Sequence, residues 1–190
     1  DVIKPSMGMG FKLKQPEMLL NKFDIMVVDS TYHDDTWQPV WGESKNIRNR
    51  YKELFVKMMG RKGHEIAMNM VFRVFDEGIG FRYEFPVQPN LNHFVVADEL
   101  TCFTMAGNHK AFWIPGDYDT NEYNYTESKL TEIDATAAQQ VQEIFSKSII
   151  GKNAVQTPLM MKSDNGIYIN IHEAALMNYP AMNLMLDPST

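Results

Sequence analysis

The clearest regularity in this chain is an alternation of apolar and polar positions from Ile66 to Pro86. Ile66, Met68, Met70, Phe72 and Val74 occupy every second position, and the alternation resumes after Asp76-Glu77-Gly78 with Ile79, Phe81, Tyr83 and Phe85. Successive strand residues point to opposite faces, so a period of two predicts strands with one buried side. Asn69, Arg73, Arg82 and Glu84 fall on the other side and make it partly polar. Asp-Glu-Gly suits a short hairpin loop, with Gly78 taking the positive φ that reverses the chain. The stretch reads as a long β-hairpin in the middle of an antiparallel sheet.

Other segments carry the same signal more briefly. Pro5, Gly8 and Gly10 precede a short alternating run and predict a turn leading into a strand. Strands are expected over Phe23–Val28 and Ile47–Met59, the second with Tyr51, Glu53, Phe55, Lys57 and Met59 on one side and Lys52, Leu54, Val56 and Met58 on the other. Gly60–Gly63 reads as a turn into the central hairpin. His93–Val96, Thr101–Met105, Ala111–Ile114 and Ala181–Leu186 are shorter strand candidates. Leu159–Lys162 and Ile167–Ile171 frame Ser163-Asp164-Asn165-Gly166, where Asn-Gly accepts the φ values of a tight hairpin turn. Between Asp134 and Ser148 the period becomes helical, with Asp134 as the cap and Ala137, Val141, Ile144 and Phe145 at helical spacing. About twelve strands with at most one short helix imply an all-β, mainly antiparallel architecture of the β-sandwich kind.

Composition narrows the function classes. The chain has 190 residues, 44% of them hydrophobic and 12% aromatic, which suits one folded β domain rather than a disordered segment. A net charge of −6 without a Lys/Arg cluster argues against a nucleic-acid partner. No apolar run is long enough to span a membrane as a helix. The lone Cys102, flanked by Leu100 and Phe103, has no partner for a disulfide or a zinc site and reads as a buried thiol.

Taken one at a time, the chemical candidates are sparse. Asp34 and Asp35 precede Trp37, and Glu43 follows Trp41. Such carboxylates beside indoles can grip a sugar, the ring stacking on Trp and the hydroxyls bonding to the acid, while core or edge aromatics with solvated acids explain the same residues. The five histidines, at 33, 64, 93, 109 and 172, do not have the spacing of a helical zinc site. No phosphate loop or serine elbow is present. Glu173 follows the apolar run Ile167–Ile171 directly after His172. A carboxylate at the end of a buried strand should meet a cation, a donor cluster or water.

Several blocks together resemble the N-terminal domain of glycoside hydrolase family 97. They are Asp35-Thr36-Trp37-Gln38-Pro39-Val40-Trp41-Gly42-Glu43 with Ile47-Arg48-Asn49 and Tyr51, Phe72 through Pro86, Leu100-Thr101-Cys102-Phe103, Thr157-Pro158-Leu159, and Ile171 through Met182. The resemblance covers most of the chain and leaves out Asp134–Asn153. It implies an N-terminal β-super-sandwich similar to the galactose mutarotase-like fold, placed before a catalytic (β/α)8 barrel and a small C-terminal β domain.

By that resemblance the parent is an exo-acting α-glycosidase, an α-glucosidase or α-galactosidase, bacterial and periplasmic or secreted. Its substrate is an α-linked saccharide. The catalytic carboxylates belong to the barrel, so residues 1–190 contain none and are inactive alone. The family's N-terminal domain offers a glutamate to a calcium ion, and the matching residue here is Glu173. Calcium takes carboxylate oxygens, so a ligand shared between domains fastens their interface. Trp37 and Trp41 are the substrate-binding candidates. The chain reads as a trimmed piece, beginning after the family's first strands and ending before the barrel. A free-standing carbohydrate-binding β-sandwich, with Trp37, Trp41 or Trp113 as stacking platforms, is the alternative. A pure interaction module is a third reading.

Overall fold

A computed structural model describes residues 2–5, 8–61 and 65–187. Lys62 and Gly63, in the turn expected over Gly60–Gly63, lie outside the described residues together with His64, as do Ser6 and Met7 in the opening turn. The described chain is mainly antiparallel β-structure, the class expected from the periodicity, with thirteen strands, one 3-10 turn and one short α-helix. It divides into two compact units: one spans Met7–Cys102, and the other combines Asp1–Ser6 with Phe103–Thr190.

The Met7–Cys102 unit contains seven strands: β1 (Phe11–Gln15), β2 (Glu17–Leu20), β3 (Phe23–Trp37), β4 (Ile47–Gly60), β5 (Ala67–Val74), β6 (Ile79–Glu84) and β7 (Val95–Glu99). They form a three-stranded sheet in the order β2-β1-β7 and a four-stranded sheet in the order β3-β4-β5-β6. The central hairpin is β5–β6, with Val74 opposite Ile79 and Asn69 opposite Glu84. Phe11, Leu13 and Leu20 from the smaller sheet share one core with Val56, Met58, Met68 and Met70 from the larger. The alternation therefore identifies the inward face correctly, with Met68 fully buried and Val56 and Met58 on the expected side of β4.

Burial stops before the alternation does. Val74 and Ile79 belong to the hairpin pattern, yet they are 48% and 64% exposed. β1, at five residues, is about 17 Å long, whereas β3, at fifteen, runs about 50 Å. Within this unit the short sheet covers only one end of the long one. Gly78 does not adopt the expected positive φ; the loop closes instead through the Phe75 amide donating to the Gly78 carbonyl at 2.8 Å. Gly10 does need glycine, because its φ is +139° and a Cβ there would lie 2.0 Å from the Leu20 carbonyl oxygen. Cys102 is exposed rather than buried.

The second unit contains β8 (Lys110–Trp113), β9 (Thr126–Lys129), β10 (Ala154–Gln156), β11 (Leu159–Lys162), β12 (Tyr168–Ile171) and β13 (Asn183–Met185). Its four-stranded sheet has the order β12-β11-β8-β9, and β10 pairs separately with β13. Trp113, Val155, Leu159 and Met161 form the core with Leu130, Ile133, Ala135 and Ala138. The β11–β12 hairpin forms as expected. Gly166 takes φ +85° after a turn closed by its amide donating to the Ser163 carbonyl at 3.0 Å.

Two expectations fail here. Thr101–Met105 is not a strand, although Met105 forms a single bridge with Ile3. The helix expected over Asp134–Ser148 is only α1 (Ala135–Gln140). Asp134 does cap it, accepting the Ala137 amide at 3.0 Å, but the buried positions are Ala135 and Ala138. Val141 and Phe145, the residues that carried the helical period, are 84% and 107% exposed. The Lys147 ammonium donates to the carbonyls of Gln139 and Gln142, satisfying groups that a continuing helix would have paired.

Candidate functional site

Glu173 stands two residues beyond the end of β12 and is half-buried. Its Oε2 accepts the backbone amide of Met182 at 2.7 Å, so the carboxylate closes the base of the loop 174–181. The Met182 carbonyl accepts the Thr157 hydroxyl at 3.1 Å. Thr157 immediately follows β10, and Asn183, next to Met182, pairs with Gln156 in the β10–β13 ladder. Three segments are thus tied together at Met182–Asn183, one of them through the Glu173 carboxylate. The strand-end acid meets a backbone donor; among the described residues it forms no ion pair with a cation.

The loop that Glu173 closes is exposed and unusually shaped. Ala175 and Asn178 have φ of 51° and 57°, a left-handed conformation uncommon for alanine. Leu176 and Met177 are 46% and 78% exposed, and His172 is exposed beside the site. Among the described residues no group of three or more His, Cys, Asp or Glu is placed to hold a metal. Glu173 nevertheless suits a hard cation as a single ligand. It offers carboxylate oxygens, and Oε1 has no protein partner among the described residues. With roughly six to eight oxygens needed around calcium, the remaining ligands would come from outside these residues.

Trp37 ends β3, and Trp41 lies in the loop between β3 and β4; they are 50% and 88% exposed. Their acidic neighbours are differently engaged. Asp34 accepts two hydrogen bonds from Arg48, at 2.9 and 2.7 Å, and one from the Tyr32 hydroxyl at 3.2 Å. The Arg48 bonds hold the Asp34 pKa down to about 2. Asp35 accepts from the Asn49 amide at 2.8 Å. These carboxylates brace the two-stranded tip of the sheet. Glu43 is exposed.

Nearby, His33 stacks on the buried Tyr51 at 4.7 Å, and the Arg73 guanidinium lies 4.6 Å from the same ring. Trp113 is 1% exposed, and its indole nitrogen donates to Ser128 at 3.0 Å, so it is a core residue and not a stacking platform.

Sequence reasoning missed one buried acid. Asp117 accepts the amides of Asp119 and Thr120 at 2.8 and 3.1 Å, the Tyr123 hydroxyl at 2.8 Å and the Ser148 amide at 2.8 Å. Burial pushes its carboxyl up, but the four hydrogen bonds outweigh burial and leave it below the ordinary range. With its acceptor sites filled by its own chain, Asp117 organises loops and has no room for a ligand. Met182 and Thr157 were also missed, although both fall inside the resembling blocks. No side-chain pattern announces a backbone amide as a partner.

The chain matches the family model described as Glycosyl-hydrolase 97 N-terminal over residues 1–190. Among solved structures, a glycoside hydrolase family 97 enzyme from Pseudoalteromonas sp. strain K8 in complex with panose is 30% identical, with a TM-score of 0.80 over 98% of this chain. The same organism's enzyme in complex with acarbose aligns with the same identity and TM-score. A beta-arabinopyranosidase, at 14% identity and a TM-score of 0.59, shares the fold. The chain spans 26% of the length of the family 97 structures and 33% of the arabinopyranosidase.

Proposed function

Because the chain belongs to the Glycosyl-hydrolase 97 N-terminal family, we propose that it is the non-catalytic β-sandwich of an exo-acting α-glycosidase, working on an α-glucoside or α-galactoside. The observation that carries this reading is the match of the whole chain to about a quarter of family 97 enzymes that bind panose and acarbose. In this reading the catalytic carboxylates lie in a (β/α)8 barrel of the same polypeptide, where active sites gather at the C-terminal ends of the strands. The parent enzyme is periplasmic or secreted and bacterial.

This chain's own contribution is positional. Glu173 presents a carboxylate oxygen from a loop base fixed by Met182, which supports its assignment as one ligand to a calcium ion shared with the barrel. Bound calcium would supply a fixed positive charge beside the substrate site and hold the two domains together. In the full-length protein, Glu173→Gln is expected to weaken calcium binding in calorimetry and to reduce turnover of a substrate such as panose. The separate 190-residue chain is expected to hydrolyse nothing. Turnover by the chain alone would defeat the non-catalytic reading, and unchanged calcium affinity in Glu173→Gln would defeat the ligand assignment.

The exposure of Trp37 and Trp41 supports a second reading, a carbohydrate-binding sandwich that uses these indoles as stacking platforms. Saturable oligosaccharide binding that is lost in Trp41→Ala or Trp37→Ala, with calcium affinity unaltered, would favour it.

A further inference from the structure

We propose that Thr157 and the Met182 backbone position Glu173 for its metal, so that this glutamate binds through Oε1 while Oε2 stays latched to the chain. The proposal rests on the calcium reading of Glu173 given above. The latch is a two-step relay. The Thr157 hydroxyl donates to the Met182 carbonyl at 3.1 Å, and the Met182 amide donates to Glu173 Oε2 at 2.7 Å. Both bonds involve the one residue Met182, so Thr157 holds the residue whose amide orients the carboxylate.

The ladder reinforces this placement. Asn183 opposite Gln156, and Leu184 opposite Val155, fix the Met182 side of the loop against β10. Val155 is fully buried, so the platform cannot drift without disturbing the core.

The loop supplies the reason such a latch is needed. Positions 174–180 are all exposed, and their path includes left-handed backbone at Ala175 and Asn178. A carboxylate at the mouth of such a loop would sample several rotamers if nothing held it. Holding one oxygen leaves the side chain already oriented for the cation, which lowers the ordering cost of binding. Glu173 thereby also couples the metal to the loop, since the carboxylate that takes the ion is the one that closes the loop's base.

The test uses the full-length protein that carries this chain. Calcium affinity is measured by calorimetry for the unaltered protein, Thr157→Val, Thr157→Ser and Glu173→Gln. Thr157→Val is expected to weaken calcium binding roughly 10-fold or more, with Thr157→Ser restoring it, because residues that orient a ligand typically matter on that scale. Amide exchange at Met182 in calcium-free protein gives a readout independent of the metal. It is expected to be slow in the unaltered protein and in Glu173→Gln, which keeps an acceptor oxygen, and fast in Glu173→Ala.

If Thr157→Val binds calcium within about twofold of the unaltered protein while Glu173→Gln has lost it, the positioning role is overturned and the ligand reading stands. If Glu173→Gln also keeps its affinity, both fall together. If Thr157→Val does not fold, the Met182 exchange rates decide: equal rates in the unaltered protein and Glu173→Ala overturn the latch.

Discussion

The Tyr123 hydroxyl donates to Asp117 Oδ2 at 2.8 Å, in a site where both residues are more than nine-tenths buried. The same carboxylate gathers amides from Asp119, Thr120 and Ser148, so a single side chain ties the segment after β8 to the segment that leads towards β10.

Two opposite pH limits follow from this pair. The Asp117 carboxyl is held below its ordinary value of 3.8, so its stabilisation is full above that pH and is lost as pH falls through the folded-state value. Burial and the neighbouring Asp117 raise the Tyr123 hydroxyl from 10.0 to about 12, so its contribution is full below pH 10 and is lost as pH rises towards 12. Tyr123→Phe should destabilise by roughly 1–3 kcal/mol, because it leaves a buried acceptor short of a donor. It should also remove this residue's alkaline contribution. Urea unfolding midpoints from pH 3 to 11 would check both, and a Tyr123→Phe curve parallel to the unaltered one above pH 10 would refute the assignment.

The tryptophans should separate cleanly. Trp113→Ala is expected to cost about 3–5 kcal/mol, since it empties a core site and leaves Ser128 without its indole donor. Trp41→Ala, at an 88% exposed loop position, should change stability by no more than about 0.5 kcal/mol. Thermal unfolding of the two variants side by side is the measurement.

Arg48→Ala should loosen one place without unfolding the protein. The Arg48–Asp34 pair is exposed and screened by solvent, so its loss should leave the global unfolding midpoint nearly unchanged. Asp34, no longer held by Arg48, should titrate higher than about 2. Carboxyl carbon shifts measured by NMR over pH 1.5–5 would record that rise, and faster amide exchange near Trp37 and Ile47 would mark the loosened tip.

Gly10→Ala should be far costlier than its size suggests. The residue has φ +139°, and the new methyl would sit against the Leu20 carbonyl, with Leu20 itself in the core. A loss of about 2 kcal/mol or more is expected, read as a lower denaturation midpoint with an unchanged denaturant slope.

Most of the architecture was legible because strand periodicity is local. Met68, Met70, Val56 and Met58 face inward because their own spacing puts them on one side, whatever the rest of the chain does. The hairpin at Ser163–Ile167 was equally readable, since Gly166 meets a backbone need that few other residues meet. The longer helix does not form, for the converse reason. Val141, Ile144 and Phe145 have the right spacing, but the protein leaves Val141 and Phe145 uncovered, and a periodic stripe yields a long helix only where something buries it.

The sequence by itself determined the strand faces, the all-β class and the resemblance to the family, all of which depend on residue order and local spacing. The tertiary structure alone decided what each acid and indole meets. It gave Asp34 to Arg48, filled every acceptor site of Asp117, and buried Trp113 while exposing Trp41. It also brought the Met182 amide, nine residues on, back to Glu173. Those partners arrive through chain closure over long separations, and hydrogen bonds to backbone amides carry no side-chain signature in the sequence.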